Sequence, residues 1–218
     1  VSDIVESIGA KINGVQRYVR YRDMGDGTFA EVVAGGGSAG AITVAPSASE
    51  VHLGQVGGTI SNPTANFTRP NDTTPYSSGD LVANSTTAGS VSAMTFTVAR
   101  VAAGSVMLRR CRVQKSGASV ANAVFRIHLF AAAPATVTNG DNGAFSVSGA
   151  ADYLGAFDVT VDRAFTDGAL GFGNPVVGFE LGVKLASGTT IKGLVEARAA
   201  YTPTANEVFT VGFDAYQD

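Results

Sequence analysis

The stretch Glu207-Val208-Phe209-Thr210-Val211-Gly212-Phe213-Asp214-Ala215 alternates with a period of two. Phe209, Val211 and Phe213 fall on one side, and Val208, Thr210 and Gly212 on the other. Successive side chains of an extended strand point to opposite faces, so the pattern predicts a strand with its aromatics inward. Phe125-Arg126-Ile127-His128-Leu129-Phe130 repeats it, with Phe125, Ile127 and Leu129 toward the core. Working outward, candidate strands cover 81–83, 94–100, 106–115, 123–130, 155–161, 177–185, 191–199 and 207–215. Turn-rich clusters separate them, among them Lys115-Ser116-Gly117, Asn139-Gly140-Asp141-Asn142-Gly143 and Ser187-Gly188-Thr189. Short strands at this spacing predict an all-β chain, an antiparallel β-sandwich of jelly-roll type with seven or eight strands.

Composition points the same way. There are 27 Val and 20 Thr against 9 Leu and 4 Lys. β-branched residues lose rotamer freedom in helices and pack well on pleated sheets. The 27 Gly and 7 Pro supply turns. A chain of 218 residues buries on the order of 70% of its unfolded surface, so it needs no disulfide, and the single Cys111 has no partner within the chain. The net charge is −3, from 15 basic and 18 acidic residues. That balance excludes a basic nucleic-acid binder on bulk charge, and the 45% hydrophobic content excludes a disordered acidic chain. Charged residues make up 15%, below the roughly 25% of an average soluble domain. So few charges suggest that partners cover part of the surface. No run approaches the ~18 apolar residues of a membrane-spanning helix. The opening Val1-Ser2-Asp3-Ile4-Val5-Glu6 carries acid where a signal peptide carries base, so the expected place of synthesis and folding is the cytoplasm.

The first segment reads as an arm. Ile4, Ile8, Ile12 and Val15 recur at helical spacing over about 2–15, Asp3 and Glu6 resemble a capping box, and Gly14 suits a helix end. Tyr18-Val19-Arg20-Tyr21-Arg22 and Thr28-Phe29-Ala30-Glu31-Val32-Val33 flank a Gly- and Asp-rich turn and predict a hairpin. Arg20 and Arg22 share a face and are placed to meet Glu31 across it. Gly35-Gly36-Gly37-Ser38-Ala39-Gly40 is a flexible joint. It spells G-x-G-x-x-G, but the strand-like Ala41-Ile42-Thr43-Val44 follows where a nucleotide site needs a helix. The expected organisation is an arm over 1–45, a loop-rich extended connector over 46–79, and a sandwich over 80–218 that folds without the rest.

No constellation spells out chemistry. His52 and His128 lack metal-ligand spacing and a nucleophile elbow, and Cys111 reads as a small core residue. Asp141, Asp152, Asp158, Asp162 and Asp167 form a carboxylate cluster. Turn chemistry accounts for it best, with a bound Ca²⁺ or a carboxylate pair as the other readings. No catalytic, cofactor-binding or metal-ligating residue is assigned, and no cofactor is expected. Arg109, Arg110, Arg112 and Lys115 make the one basic cluster. Strand alternation puts Arg110 and Arg112 together and Arg109 opposite, a strip suited to acidic groups of an adjacent subunit.

Three segments resemble structural proteins of tailed bacteriophages. They are Arg17-Tyr18-Val19-Arg20-Tyr21-Arg22-Asp23-Met24-Gly25-Asp26-Gly27-Thr28-Phe29-Ala30-Glu31-Val32-Val33, then Thr68-Arg69-Pro70-Asn71-Asp72-Thr73-Thr74-Pro75-Tyr76 with Gly79-Asp80-Leu81-Val82-Ala83, and Glu196-Ala197-Arg198-Ala199-Ala200-Tyr201-Thr202-Pro203 with Glu207-Val208-Phe209. The resemblance implies a virion component without enzymatic activity. The leading expectation is a capsid decoration or cement protein that binds the major capsid protein or other virion proteins as a homo-oligomer. A tail or baseplate component is second. The residues expected to bind partners are Ile4, Ile8, Ile12, Val15, Arg20, Arg22, Arg110 and Arg112, with no nucleic acid and no membrane among the partners. Two other classes stay open. A carbohydrate-binding module would use Tyr76, Tyr153, Tyr201 or Tyr216 on a host-surface glycan, and a hydrolase would need a carboxylate pair or His128.

Overall fold

A computed structural model describes the backbone of five short strands between residues 3 and 32, and residues 59–217 in full. The chain forms two compact units, Val1–Gly54 and Gln55–Asp218.

In the first unit β1 (Asp3–Glu6), β4 (Val19–Asp23) and β5 (Phe29–Val32) form an antiparallel sheet in the order β1-β4-β5, and β2 (Lys11–Ile12) pairs with β3 (Val15–Gln16). The expected hairpin is β4 with β5. The expected helix over 2–15 is corrected: Ile4, Ile12 and Val15 lie on strands, and Ile8 lies outside the described residues. So short a helix is marginal alone, Gly9 weakens it further, and pairing Ile4 opposite Tyr21 supplies the backbone bonds instead. The register sets Tyr21 opposite Glu31, and Arg20 opposite Val32, so the pairing of Arg20 and Arg22 with Glu31 is also corrected. The glycine joint at 35–40 lies outside the described residues.

The second unit is all β. Its strands are β6 (Thr59–Ser61), β7 (Thr64–Thr68), β8 (Leu81–Val82), β9 (Met94–Thr97), β10 (Ser105–Lys115), β11 (Val124–Phe130), β12 (Tyr153–Phe165), β13 (Gly168–Pro175), β14 (Leu181–Lys184), β15 (Thr190–Ala197) and β16 (Val208–Gln217). They join in one antiparallel sheet in the order β6-β16-β10-β13-β12-β11-β15-β8, with β7 also on β16, β14 on β10 and β9 on β15. Among the described residues no helix is long and apolar enough to cross a membrane.

The sheet rolls over its own inner face. Phe213 of β16 meets Phe96 of β9 edge-on at 5.0 Å and Phe157 of β12 at 5.3 Å. Phe209 of β16 meets Phe125 of β11 at 5.2 Å, although three strands separate β16 from β11 in hydrogen-bond order. The alternation that predicted β16 and β11 thus holds: Phe209, Val211, Phe213, Phe125, Ile127 and Leu129 are all buried. Burying each such side chain stabilises the fold by roughly 1.5–3 kcal/mol.

The expected connector over 46–79 is corrected in its second half. Residues 59–68 form β6 and β7 on β16, where Phe67 stacks on Phe209 at 5.5 Å. Beyond them Arg69 and Tyr76 plug the core. Arg69 Nη2 lies 2.7 Å from Asp141 Oδ2, with both side chains fully buried. The Tyr76 hydroxyl donates to Asp141 Oδ1 at 2.6 Å and accepts from Arg69 Nε. The backbone N–H of Ala83 donates to the same Oδ1 at 2.7 Å. A second buried pair lies beyond the stacked ring of Tyr201, 6.4 Å from that of Tyr76. There Lys115 Nζ donates to the Gly117 carbonyl at 2.6 Å and lies 3.3 Å from Glu207 Oε1, while the Tyr201 hydroxyl donates to the Glu207 carboxylate. A Cβ on Gly117 would come within 2.1 Å of Glu207 Oε1, so a side chain there would push this carboxylate from its place beside Lys115 and Tyr201. Burial pushes the Lys115 ammonium below its ordinary value, against the pull of Glu207.

Two outcomes follow. A fragment of residues 55–218 should melt cooperatively, whereas 80–218 should not, against the expectation that it folds without the rest, because Asp141 would lose Arg69 and Tyr76 and Phe209 would lose Phe67; circular dichroism melts of both fragments decide this. Glu207→Ala strands the Lys115 charge in the core, and urea unfolding of the full chain should show a loss of about 3–5 kcal/mol.

Candidate functional site

The outer sheet face carries the arrangement most able to recognise a partner. On β10 the register slips between Leu108, opposite Ala215, and Arg110, opposite Asp214. Arg109 is the extra residue of this bulge, and bulges re-aim side chains. Arg109, Arg110 and Arg112 are therefore all exposed, which corrects the expectation that Arg109 points away from the other two. A charged row crosses this face in two stretches of directly opposed residues. Asp214 faces Arg110 on one side, and farther along Asn174 faces Asp158, Asp158 faces Arg126, and Arg126 faces Glu196. Opposite charges set across from one another stabilise a sheet by roughly 0.2–1 kcal/mol a pair.

At one end of the row Arg110 Nε lies 2.8 Å from Asp214 Oδ2, and Asn62 Nδ2 donates to Asp214 Oδ1 at 3.0 Å. The Arg110 guanidinium sits 4.6 Å from the centre of the Phe172 ring, which is half exposed. These groups border a hollow of about 310 Å³ whose lining includes Thr64, Arg112 and Gly212. A Cβ on Gly212 would lie 2.9 Å from Thr64 Cγ2 and 3.8 Å from Arg112 Nη2, so the glycine leaves the hollow open. Arg112 has no hydrogen bond or ion pair among the described residues. A guanidinium with its donors free beside an aromatic ring suits an incoming carboxylate.

At the other end Arg126 grips Asp158 through two hydrogen bonds of 2.7 Å. This grip holds the Asp158 carboxyl below its ordinary value. His128 Nε2 lies 2.9 Å from Glu196 Oε2, and Nδ1 lies 3.2 Å from the Tyr153 hydroxyl. Arg198 Nη1 donates to Glu196 Oε1 at 2.9 Å, and the Phe145 ring stacks on the imidazole at 4.3 Å. Burial holds His128 below its ordinary value and outweighs the pull of Glu196, so the ring is neutral at pH 7. A neutral ring donating from Nε2 to Glu196 and accepting at Nδ1 from Tyr153 satisfies all the contacts.

The expected site residues scatter. Arg110 and Arg112 meet in the hollow. Ile4, Ile12, Val15, Arg20 and Arg22 lie on strands of the first unit whose side chains are outside the described residues, as are Ile8 and His52. Tyr76 and Tyr201 are buried and unavailable to a glycan, while Tyr153 is 44% exposed. Cys111 is in the core, and burial pushes its thiol up. Asp141 is the core partner of Arg69, Asp158 belongs to the charged row, and Asp152, Asp162 and Asp167 are exposed. Among the described residues no group of three or more His, Cys, Asp or Glu is placed to hold a metal ion. Sequence reasoning missed Asp214, Asn62, Phe172, Arg126, Glu196 and Arg198. For Arg126, Glu196 and Asp214 the only signal was polar residues alternating with apolar ones along β11, β15 and β16, which marks an outer face without saying what lies opposite; Asn62, Phe172 and Arg198 carried none. The chain matches no protein-family model, no curated protein and no solved structure.

The His128 network has a pH signature. Its folded pKa is lowered, so the unfolded state binds the proton more tightly below the ordinary value of about 6.5. Stability should be flat above that value and fall as pH drops through it toward the folded pKa. Thermal melts from pH 8 to pH 5 of wild type and His128→Gln test this, and the variant should lose that part of the slope.

Proposed function

We propose that this chain is a non-enzymatic structural protein of a tailed-phage virion, a decoration or cement protein on the outer surface of a head. We read the rolled sheet as a jelly-roll-like sandwich presenting one broad face to the shell. The observation that carries the proposal is Arg112: a guanidinium without a hydrogen bond or ion pair among the described residues, directly opposite half-exposed Phe172 and beside the Arg110–Asp214 pair. Such a face suits a flat partner carrying a carboxylate, and not a small substrate enclosed in a cleft. The three resembling segments support the virion setting. Arg69, Tyr76, Tyr201 and Glu207, which stand in two of them, are buried core residues, so those segments contribute a common framework and the face supplies the contact. Repetition over a shell makes modest contacts effective together.

Sedimentation of the purified full chain with phage heads lacking it tests the reading. The chain should pellet with the heads, and Arg112→Glu should weaken this by about tenfold or more, as expected for a charge-assisted contact turned repulsive. Its melting temperature should stay near that of wild type, because Arg112 holds nothing in the fold. Failure of the wild-type chain to pellet with heads, or its recovery only with tails, removes the decoration reading.

A further inference from the structure

Phe179 is the most exposed large apolar side chain among the described residues, at 94%. It stands on the turn Val176-Val177-Gly178-Phe179-Glu180 between β13 and β14, where Val177 is 84% exposed. Gly178 bends the turn with a φ of +79°, a conformation that side chains disfavour. The turn is thus shaped, and its tip is apolar where polar residues would serve the fold equally well. Exposed apolar clusters of this kind mark contact sites.

Beside the turn is a hollow of the same character. Gly182 of β14 faces Met107 of β10, which faces Tyr216 of β16 on its other side. The glycine contributes no side chain to this outward row. A hollow of about 480 Å³ results, lined by Ser105, Met107, Val183, Lys184, Tyr216 and Gln217 among others. Lys184 is its charged residue, exposed and without an ion pair among the described residues. The turn carries one charge of opposite sign, Glu180, held only loosely, 3.6 Å from Arg109 with both side chains about half exposed.

The knob and the hollow lie only a few residues apart on one chain, and Phe179 does not enter its own hollow. A two-fold axis passing near them brings each knob to the hollow of another copy, and such a self-complementary arrangement closes as a dimer. We infer that the chain pairs with a second copy of itself by this exchange, Phe179 of each entering the hollow beside Gly182 of the other, and Glu180 of each meeting Lys184 of the other. Two aromatic rings burying roughly 150–250 Å² apiece supply the apolar centre that an interface needs, with the opposed charges at its rim. The dimer is a property of the chain alone and stands whether or not the virion reading does.

Sedimentation equilibrium of the purified full chain, over a wide concentration range, tests it. Wild type should show a monomer–dimer equilibrium. Phe179→Ser should raise the dimer dissociation constant about a hundredfold or more, because two rings leave the interface. Phe179 is outside the core, and unchanged near-ultraviolet circular dichroism confirms that the variant is folded. Glu180→Lys and Lys184→Glu should each weaken the dimer, and the double variant E180K/K184E should restore it. A chain monomeric at every concentration overturns the inference, including one that instead floats with phosphatidylcholine vesicles in a Phe179-dependent way. So does a dimer that Phe179→Ser leaves intact, or single charge variants that the double variant does not rescue.

Discussion

The second unit depends on burying Arg69. A guanidinium in a protein core is tolerable only when its donors are met by acceptors and its charge by an opposite one. Asp141, the Tyr76 hydroxyl and the backbone carbonyl of Asp72 provide this. The same Asp141 carboxylate receives the N–H of Ala83 just after β8. One ion pair therefore ties the segment after β7, the loop before Asp141 and the edge of the sheet into a single arrangement. Lys115 and Glu207 repeat the solution on the other side of the stacked tyrosines. A polar network of this kind fixes geometry, because every member must be satisfied at once.

This constraint frees the outer face for another use. With the core held by buried pairs and aromatic rings, many outward residues of β10, β11, β12 and β16 face solvent, while His128 and Phe130 of β11 pack on Phe145 and Tyr153. The face carries a row of opposed charges, and the row is neutralised along most of its length. The exceptions, Arg112 on the face and the Phe179 turn at its border, are where unspent interaction remains. Both are exposed, and neither is needed to hold the sheet together.

The strands with alternating sequence were legible because burial on one face writes a period of two into the chain. Residues 208–217 and 124–130 show this. β13 was not legible, and the reason is physical. The expected strands leave out Gly168-Ala169-Leu170-Gly171-Phe172-Gly173-Asn174-Pro175, which is interrupted by three glycines and ends in proline. Yet a Cβ on Gly171 would approach the Thr160 carbonyl to 2.0 Å, and one on Gly173 the Asp158 carbonyl to 1.9 Å. The glycines that erase the strand signal are what allow β12 to approach. The N-terminal stripe failed in the opposite way: Ile4, Ile12 and Val15 kept helical spacing by coincidence, and strand pairing, Ile4 opposite Tyr21 and Ile12 opposite Val15, outweighed it.

By itself the sequence determined the all-β class, the inward aromatic faces of β11 and β16, and the hairpin of β4 and β5, because these depend on local alternation and local turns. Tertiary structure alone decided that residues 59–76 complete the sheet and plug its core. It alone decided that a bulge turns Arg109 and Arg110 to the same side, and that Asp214, Asp158, Arg126 and Glu196 line up in one row. Those outcomes are matters of register between strands far apart in the chain. Register is set by which side chains fill a shared core, and no single segment carries that information.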